Sequence, residues 1–286
     1  MVLRQLFKWV STDMKITVGS VIFILLVASA VLAPVIAPHD PNIQRLKEAY
    51  KPPAWMEGGD WRYPLGTDSL GRDVLSRVLY GARVALYVAV LATVISAAIG
   101  TVLGLIAGYY KRFVDEVIMR FVDMWMSFPP VLLAIALIAI LGVGINNVVI
   151  AIAVVDWTRF ARVIRGETLN IREREFVEAA KAAGLTSLSI IRREIIPNIM
   201  PLLMVLATIE MSIAISVEVL LSYVGLGVKA NTPSWGSMLS EGLAYFRTGW
   251  WSTIFPMIAL ITVILGLNML GEGIREKIDP RLQISR

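Results

Sequence analysis

Four carboxylates stand where a carboxylate is costly. Asp123, Asp156, Glu210 and Glu218 each fall in or beside an apolar stretch, and an ionised carboxylate facing lipid must point inward, pair, or sit near an interface. Arg120 precedes Asp123 by three residues and Arg159 follows Asp156 by three, spacings that place both members on one helix face. We expect structural ion pairs there in preference to substrate contacts. Glu210 and Glu218 have no basic neighbour in sequence and lie eight residues apart on one span. They face broadly the same way, which suits a cavity wall or an intersubunit pair, with contact to an amino group as the alternative.

Other chemistries have little to work with. There is no cysteine, and His39 is the single histidine, so disulfides, thiolate metal sites and histidine clusters are excluded. No GxxxxGK[ST] loop is present to cradle phosphates, so the chain cannot power pumping alone. The "GVG" and "GLGVKA" patterns read as turns or close packing. A membrane enzyme would need a catalytic constellation that these residues do not offer.

The elements that position the carboxylates follow from composition. Of 286 residues, 57% are hydrophobic and only 17% charged, against about a quarter charged in soluble domains. The number of bilayer crossings is therefore the first question. The run "ITVGSVIFILLVASAVLAPVIA", residues 16–37, would rise about 33 Å as a helix, enough to cross. It lacks a clear cleavage signal and reads as a retained span. Further spans are expected at about 84–109, 122–141, 145–160, 202–224 and 252–270. The net charge of +5 forms no sustained basic patch, so no nucleic-acid partner is expected, and membrane topology explains the basic residues better.

Lysines and arginines choose the direction. Arg4, Lys8 and Lys15 precede the first span, Lys111 and Arg112 separate the second and third, and Arg275, Lys277, Arg281 and Arg286 follow the last. Eight more lie between Arg159 and Arg193. Placing all four segments in the cytoplasm puts both termini inside. Residues 45–83 also hold seven basic residues, but an even span count sends them outside, where their aromatic, proline and glycine content fits an ordered cap. Gly100, Gly104 and Gly108 repeat every four residues and invite close helix approach, within the subunit or between subunits. Pro129 and Pro130 must start a helix or bend one.

Residues 175–198, "EFVEAAKAAGLTSLSIIRREIIPN", interrupt this apolar pattern. Residues 169–183 read as a helix with Leu169, Phe176, Val177 and Ala180 on an apolar face. Gly184 suits the left-handed position past its end. Ser187 is placed to cap a second helix that Pro197 ends or redirects. Two short helices at an angle make a stiff protrusion. Its apolar side chains can fit a protein cleft while Glu175, Glu178, Arg192 and Arg193 fix orientation. We favour a docked partner over a lipid-lying pair, since Glu173, Glu175 and Glu178 weaken attraction to an anionic surface, and over internal packing.

The external "PLGTDSLGRDVLSR" has turn signals at Gly66 and Gly71, and Asp68, Arg72 and Asp73 can form a local network. A cap that stabilises the outer end of the bundle is the expected role, with a docking surface for an extracytoplasmic protein as the alternative.

"EAAKAAG" followed nine residues later by "EIIP" resembles the EAA-loop signature of type I ABC importer permeases. "PLGTDSLGRDVLSRVLYGAR", "DEVIMRFVDMWMSFPPVLLAI", "SYVGLGVKANTPSWGSMLSEG" and "NMLGEGIREKIDPRL" narrow the resemblance to the C-type permease subunit of dipeptide and oligopeptide importers, a subfamily that includes nickel importers. It spans roughly residues 16–282. Glu194 stands where relatives are expected to carry histidine, and Glu272 and Glu276 replace expected aspartates.

The resemblance implies an all-α polytopic membrane protein with about six transmembrane helices. A cytoplasmic segment 1–15 would precede a permease domain 16–271, with extracytoplasmic loop 38–83, coupling segment 164–198 and cytoplasmic tail 272–286. It implies a role for Glu178, Ala179, Ala180, Gly184, Arg192, Arg193, Ile196 and Pro197 in coupling to an ATPase. The implied partners are a homologous second permease in a heterodimer, two cytoplasmic ATPases that hold ATP and Mg2+, an extracytoplasmic substrate-binding protein, and membrane lipid. The chain itself would be no enzyme and bind no cofactor. Short peptides are the implied cargo, with nickel complexes or oligosaccharides as alternatives. An ion-driven secondary transporter would use the buried carboxylates, but it would leave the 175–197 protrusion dispensable and is expected to show an internal repeat that is not visible. A structural scaffold would tolerate neutralising those carboxylates.

Overall fold

The apolar run after Asp13 folds as α1 (Met14–Ile36), and the Asp13 carboxylate accepts from the Lys15 N–H at its start, as a capping residue does. We describe residues 13–229 and 231–278 of a computed structural model. Arg4, Lys8, Arg281 and Arg286, and with them most of the two expected terminal segments, lie outside the described residues. A loop containing one 3-10 turn (Leu46–Glu48) leads to α2 (Val74–Tyr110). This helix begins well before the expected span at 84, because Asp73 caps it and because the first turns bury Arg77 against carboxylates.

The expected continuous span at 122–141 is absent. α3 (Arg112–Met126) and α4 (Pro130–Leu141) meet at 86°. Pro130 has no N–H to continue α3's ladder but is tolerated in the first turn of a new helix, so the double proline starts α4. Next comes α5 (Ile145–Arg172), then the short α6 (Glu175–Ala182) and the long α7 (Ser187–Tyr223). α8 (Trp235–Ala244), a single turn (Phe246–Gly249) and α9 (Trp251–Ile278) complete the order. Among the described residues the only β-type pairing is an isolated bridge between Thr67 and Asp73.

Contacts sort the helix ends into two groups. The start of α1 meets the end of α9 through Lys15 and Glu276, whose Nζ–Oε1 distance is 2.6 Å. The end of α2 meets the end of α5, where the Arg172 guanidinium donates to the Tyr109 carbonyl. At the other end, the His39 N–H donates to Ser76 Oγ beside the start of α2, and Trp251 Nε1 donates to the Thr67 carbonyl. The chain thus passes between the ends six times, with the bent α3–α4 pair as the third traverse and α5 as the fourth. Four helices (α1, α2, α7 and α9) are apolar and long enough to cross on composition alone, and the bent pair makes a fifth. α5 has the length, about 42 Å at 1.5 Å per residue, but carries Asp156, Arg159 and Arg162. About six spans describe this fold.

The glycine stripe of α2 packs inside the subunit. A Cβ on Gly100 would lie 2.3 Å from the Trp157 carbonyl oxygen, and one on Gly104 2.6 Å from that of Ala161. α2 and α5 therefore pack backbone to backbone, the close approach that small residues permit. Gly227, in the "GLGVKA" run, likewise sits against Ser222, where a Cβ would come within 1.9 Å of the hydroxyl.

Candidate functional site

At the end where α2 and α5 finish, the chain builds an elbow from α6 and the start of α7. The helix expected over residues 169–183 is divided: α5 continues past the expected span to Arg172, and Glu173 and Arg174 separate it from α6. Leu169 thus belongs to the preceding rod. The root of the elbow is apolar: Val177 and Ala180 of α6 and Ile190, Ile195 and Ile199 of α7 are buried together with Leu105, Tyr109, Ile164 and Ile171. Its outer surface is open. Glu178, Ala179, Gly184, Arg192, Arg193 and Pro197 are exposed, and Ile196 is half-buried. Phe176 and Leu188 add exposed apolar surface, Leu188 being 75% accessible.

Gly184 closes α6 in the left-handed region, with φ +79°. The Leu185 N–H reaches back to the Ala180 carbonyl at 3.1 Å, closing the helix end. A Cβ at Gly184 would meet nothing within 4 Å, so its space is open to whatever docks there. The second helix is capped by Thr186, whose hydroxyl accepts from the Ser189 N–H, and not by Ser187. Pro197 neither ends nor breaks α7. A π-helical stretch, Ile191–Ile195, precedes it, and Asn198 Nδ2 donates to the Glu194 carbonyl at 2.6 Å. The wider turn accommodates the N–H that proline lacks, while Asn198 ties its own side chain back one turn.

Two polar ties fix the base of the elbow. Lys111 Nζ lies 2.6 Å from Glu173 Oε1, and its hydrogen bond is the main reason the Glu173 carboxyl titrates below the ordinary range. The Arg172 guanidinium also sits over the Tyr109 ring at 5.7 Å.

The carboxylates of the spans find partners that sequence spacing does not show. Asp156 keeps its expected neighbour, with Arg159 Nη2 3.9 Å away. Arg159 Nη1 also reaches Glu210 on α7 at 3.3 Å, so one guanidinium serves two buried carboxylates. Asp123 does not pair with Arg120. It is exposed and bonds Arg162 of α5 at 2.6 Å, while Arg120 lies near Glu116. Asp115, unnoticed in the sequence, takes a two-point bond from Arg165, Nε to Oδ1 at 2.5 Å and Nη2 to Oδ2 at 2.6 Å. Glu218, buried at 1% accessibility, accepts from Ser222 Oγ at 2.6 Å.

At the opposite end, Asp68 and Arg72 pair as expected, Nε to Oδ2 at 2.7 Å. The network extends to residues that local spacing did not indicate: Arg77 bonds Asp68, and both arginines bond Glu241 of α8. Asp73 stands apart from it. Its carboxylate caps α2, accepting from the Ser76 N–H at 2.9 Å and from the Ser76 hydroxyl. Gly66 and Gly71 both have positive φ, and a Cβ on Gly71 would lie 1.9 Å from the Arg45 carbonyl oxygen.

Comparison with known proteins places this architecture. Residues 100–284 match the family model described as binding-protein-dependent transport system inner membrane component. Residues 17–53 match that of the N-terminal TM domain of oligopeptide transport permease C. The chain is 39% identical over 270 residues to the di/tripeptide transport system permease protein DppC of Pseudomonas aeruginosa, covering 94% of this chain and 89% of that one. It is 39% identical to the dipeptide permease DppC of Haemophilus influenzae, covering 92% and 89%, and to the glutathione transport system permease protein GsiD of Escherichia coli, covering 91% and 84%. A solved structure of the MetNI methionine ABC transporter in inward-facing conformations superposes with a TM-score of 0.59 at 18% identity, covering 71% of this chain and 96% of that one; at that identity it shows the fold alone. The chain belongs to the family of binding-protein-dependent transport system inner membrane components and is a multi-pass permease subunit of an ABC importer.

Proposed function

We propose that this permease carries short peptides inward and that the elbow is where a cytoplasmic ATPase grips it. The peptide cargo follows from relatives named as dipeptide, di/tripeptide and glutathione permeases. A second, distinct permease completes the passage as a heterodimer. Two ATPase subunits hold ATP and Mg2+ and perform the hydrolysis, and an extracytoplasmic binding protein delivers the peptide. The elbow end faces the cytoplasm, with both termini, because the basic clusters of Lys15, Lys111 and Arg112, and Arg275 and Lys277 gather at that end.

One observation carries the coupling role. The elbow is rigidly rooted through fully buried residues such as Val177, Ile195 and Ile199, yet its tip exposes Phe176, Leu188 and the open space at Gly184. A rigid root with a free apolar tip moves the spans when something moves the tip. Coupling further requires the tip to bind differently in the ATPase's two states.

The test is reconstitution in liposomes with the second permease, the ATPases and the receptor. Gly184→Trp fills the docking space while Gly184→Asn keeps a residue that tolerates the left-handed backbone. Uptake should collapse in the first and survive in the second, with membrane insertion intact in both. Normal ATP-driven uptake by Gly184→Trp would refute this surface. A cysteine at Leu188 should crosslink to the ATPase, with an efficiency that changes on nucleotide binding.

A further inference from the structure

α5 is the rod that enters the elbow, and charged side chains tie it and its end to two other helices and to the α2–α3 turn. Arg159 reaches Glu210 of α7. Arg162 and Arg165 reach Asp123 and Asp115 of α3. Glu173, just past its end, reaches Lys111 at the α2–α3 turn.

α3 buries little of its own surface. Val122 is its one fully buried residue, while Phe113, Val117, Phe121 and Met124 are all exposed by half or more. It meets α5 through Val122 against Trp157 and Ala161, through the stacked rings of Phe121 and Trp157 at 5.9 Å, and through Trp125 Nε1, which donates to the Val154 carbonyl at 2.9 Å. An 86° bend separates it from α4, so the two helices do not form one straight rod.

The Arg–Asp pairs differ in quality. Asp123 and Arg162 have side chains 60% and 48% exposed, and an exposed pair contributes little. Asp115 and Arg165 are 16% and 31% exposed and meet by two parallel N–H···O bonds, the geometry that fixes direction as well as distance. Lysine, a point charge on a flexible stem, cannot reproduce that fork.

We propose that Arg165 and Asp115 are positioning residues that lock α3 to α5, so that movement of the elbow is delivered to α3 as one rigid body. This rests on the coupling role of the elbow. α3 is then the moving element that presents its open apolar face differently in the two states of the permease.

The experiment uses the complete transporter in liposomes and measures peptide taken up per ATP hydrolysed. Asp115→Asn and Arg165→Gln should each lower that ratio about tenfold, the scale of an ordinary coupling free energy, while ATP hydrolysis and elbow–ATPase crosslinking persist. Arg165→Lys should fall between them and the parent. The exchanged double variant, Asp115→Arg with Arg165→Asp, should recover much of the ratio. A parental ratio in both neutralised variants overturns the proposal, as does an exchanged variant that assembles fully yet stays as impaired as either single change. If neutralisation prevents assembly, Arg165→Lys decides alone: an assembled complex with a parental ratio overturns the proposal, and a lowered ratio supports it. If elbow variants also transport normally, the coupling surface itself is wrong; if they fail while Asp115→Asn transports normally, only the tie to α3 is wrong.

Discussion

Arg159 on α5 stands between Asp156, one helical turn away, and Glu210 on α7, with its guanidinium nitrogens 3.9 and 3.3 Å from the two carboxylates. Both carboxylates are almost wholly buried, at 5% and 6% side-chain accessibility. The single cation therefore compensates two acids inside the membrane-spanning bundle.

This arrangement makes the three residues unequal. Arg159→Met removes the one cation that pairs with either acid among the described residues and strands both carboxylates, and breaking a buried pair from one side costs about 3 kcal/mol or more. Glu210→Gln leaves the Asp156–Arg159 pair and removes the surplus negative charge, so its cost should be small. Thermal unfolding of the detergent-solubilised protein should show a large fall in Tm for Arg159→Met and little change for Glu210→Gln. Equal falls would mean that the Arg159–Glu210 bond itself, and not the compensation of two acids by one cation, sets the cost.

The glycine stripe of α2 gives a second contrast. Gly104→Leu would drive a side chain into the Ala161 carbonyl, already within 2.6 Å of a single Cβ. It should separate α2 from α5 and abolish stable expression. Gly166, inside α5, has nothing within 4 Å of an added Cβ, so Gly166→Ala gains up to about 1 kcal/mol of helix propensity and should leave Tm unchanged or raised.

Much of this fold was legible before any coordinates. Runs of apolar residues mark α1, α7 and α9 because lipid demands about twenty of them in a row, and the four-residue glycine repeat marks the α2–α5 seam. The turn at Gly184 was legible because few other residues tolerate φ near +79° there. What escaped was set by distance in the chain. Sequence spacing displays partners one turn apart, so it offered Arg120 for Asp123; the fold supplied Arg162, on another helix. Arg77 hid the true start of α2 because a buried arginine is legible only when its carboxylates, Asp68 and Glu241, are known to converge on it. Hydropathy ran on through Pro129 and Pro130 because a right-angle break does not alter composition.

The external cap should resist acid until its carboxylates titrate. Asp60 is held below the ordinary carboxylate range chiefly by hydrogen bonds from Arg62, with a smaller contribution from Lys51, and Glu48 is held low by Lys51. A depressed folded pKa means a contribution fully present above the ordinary value and lost as pH falls through the folded one. Limited proteolysis within residues 38–73 should be flat from neutrality down to about pH 4, near the ordinary carboxylate value, and rise below it. Asp60→Asn should weaken that acid dependence. Gly71→Ala, with its Cβ 1.9 Å from the Arg45 carbonyl oxygen, should open the cap at every pH.

Pro197 offers a way to separate the shape of the elbow from its stability. Without a backbone N–H, proline leaves an upstream carbonyl short of its helical donor, and the chain answers with the π-helical turn Ile191–Ile195 just before it. That turn sets the direction in which Ser187–Ile190 projects and hence where Leu188, Arg192 and Arg193 face. Pro197→Ala restores the donor and removes the reason for the wide turn, so the helix should regularise and rotate the tip relative to α6. Stability should hold or rise, because an interior proline gives way to the best helix former. ATP-driven uptake should nonetheless fall, since the docking face is re-aimed while its residues are unchanged. Tm and uptake measured on the same preparation decide it: a fall in both points to lost packing, and unchanged uptake would show that the ATPase does not read the angle of the elbow.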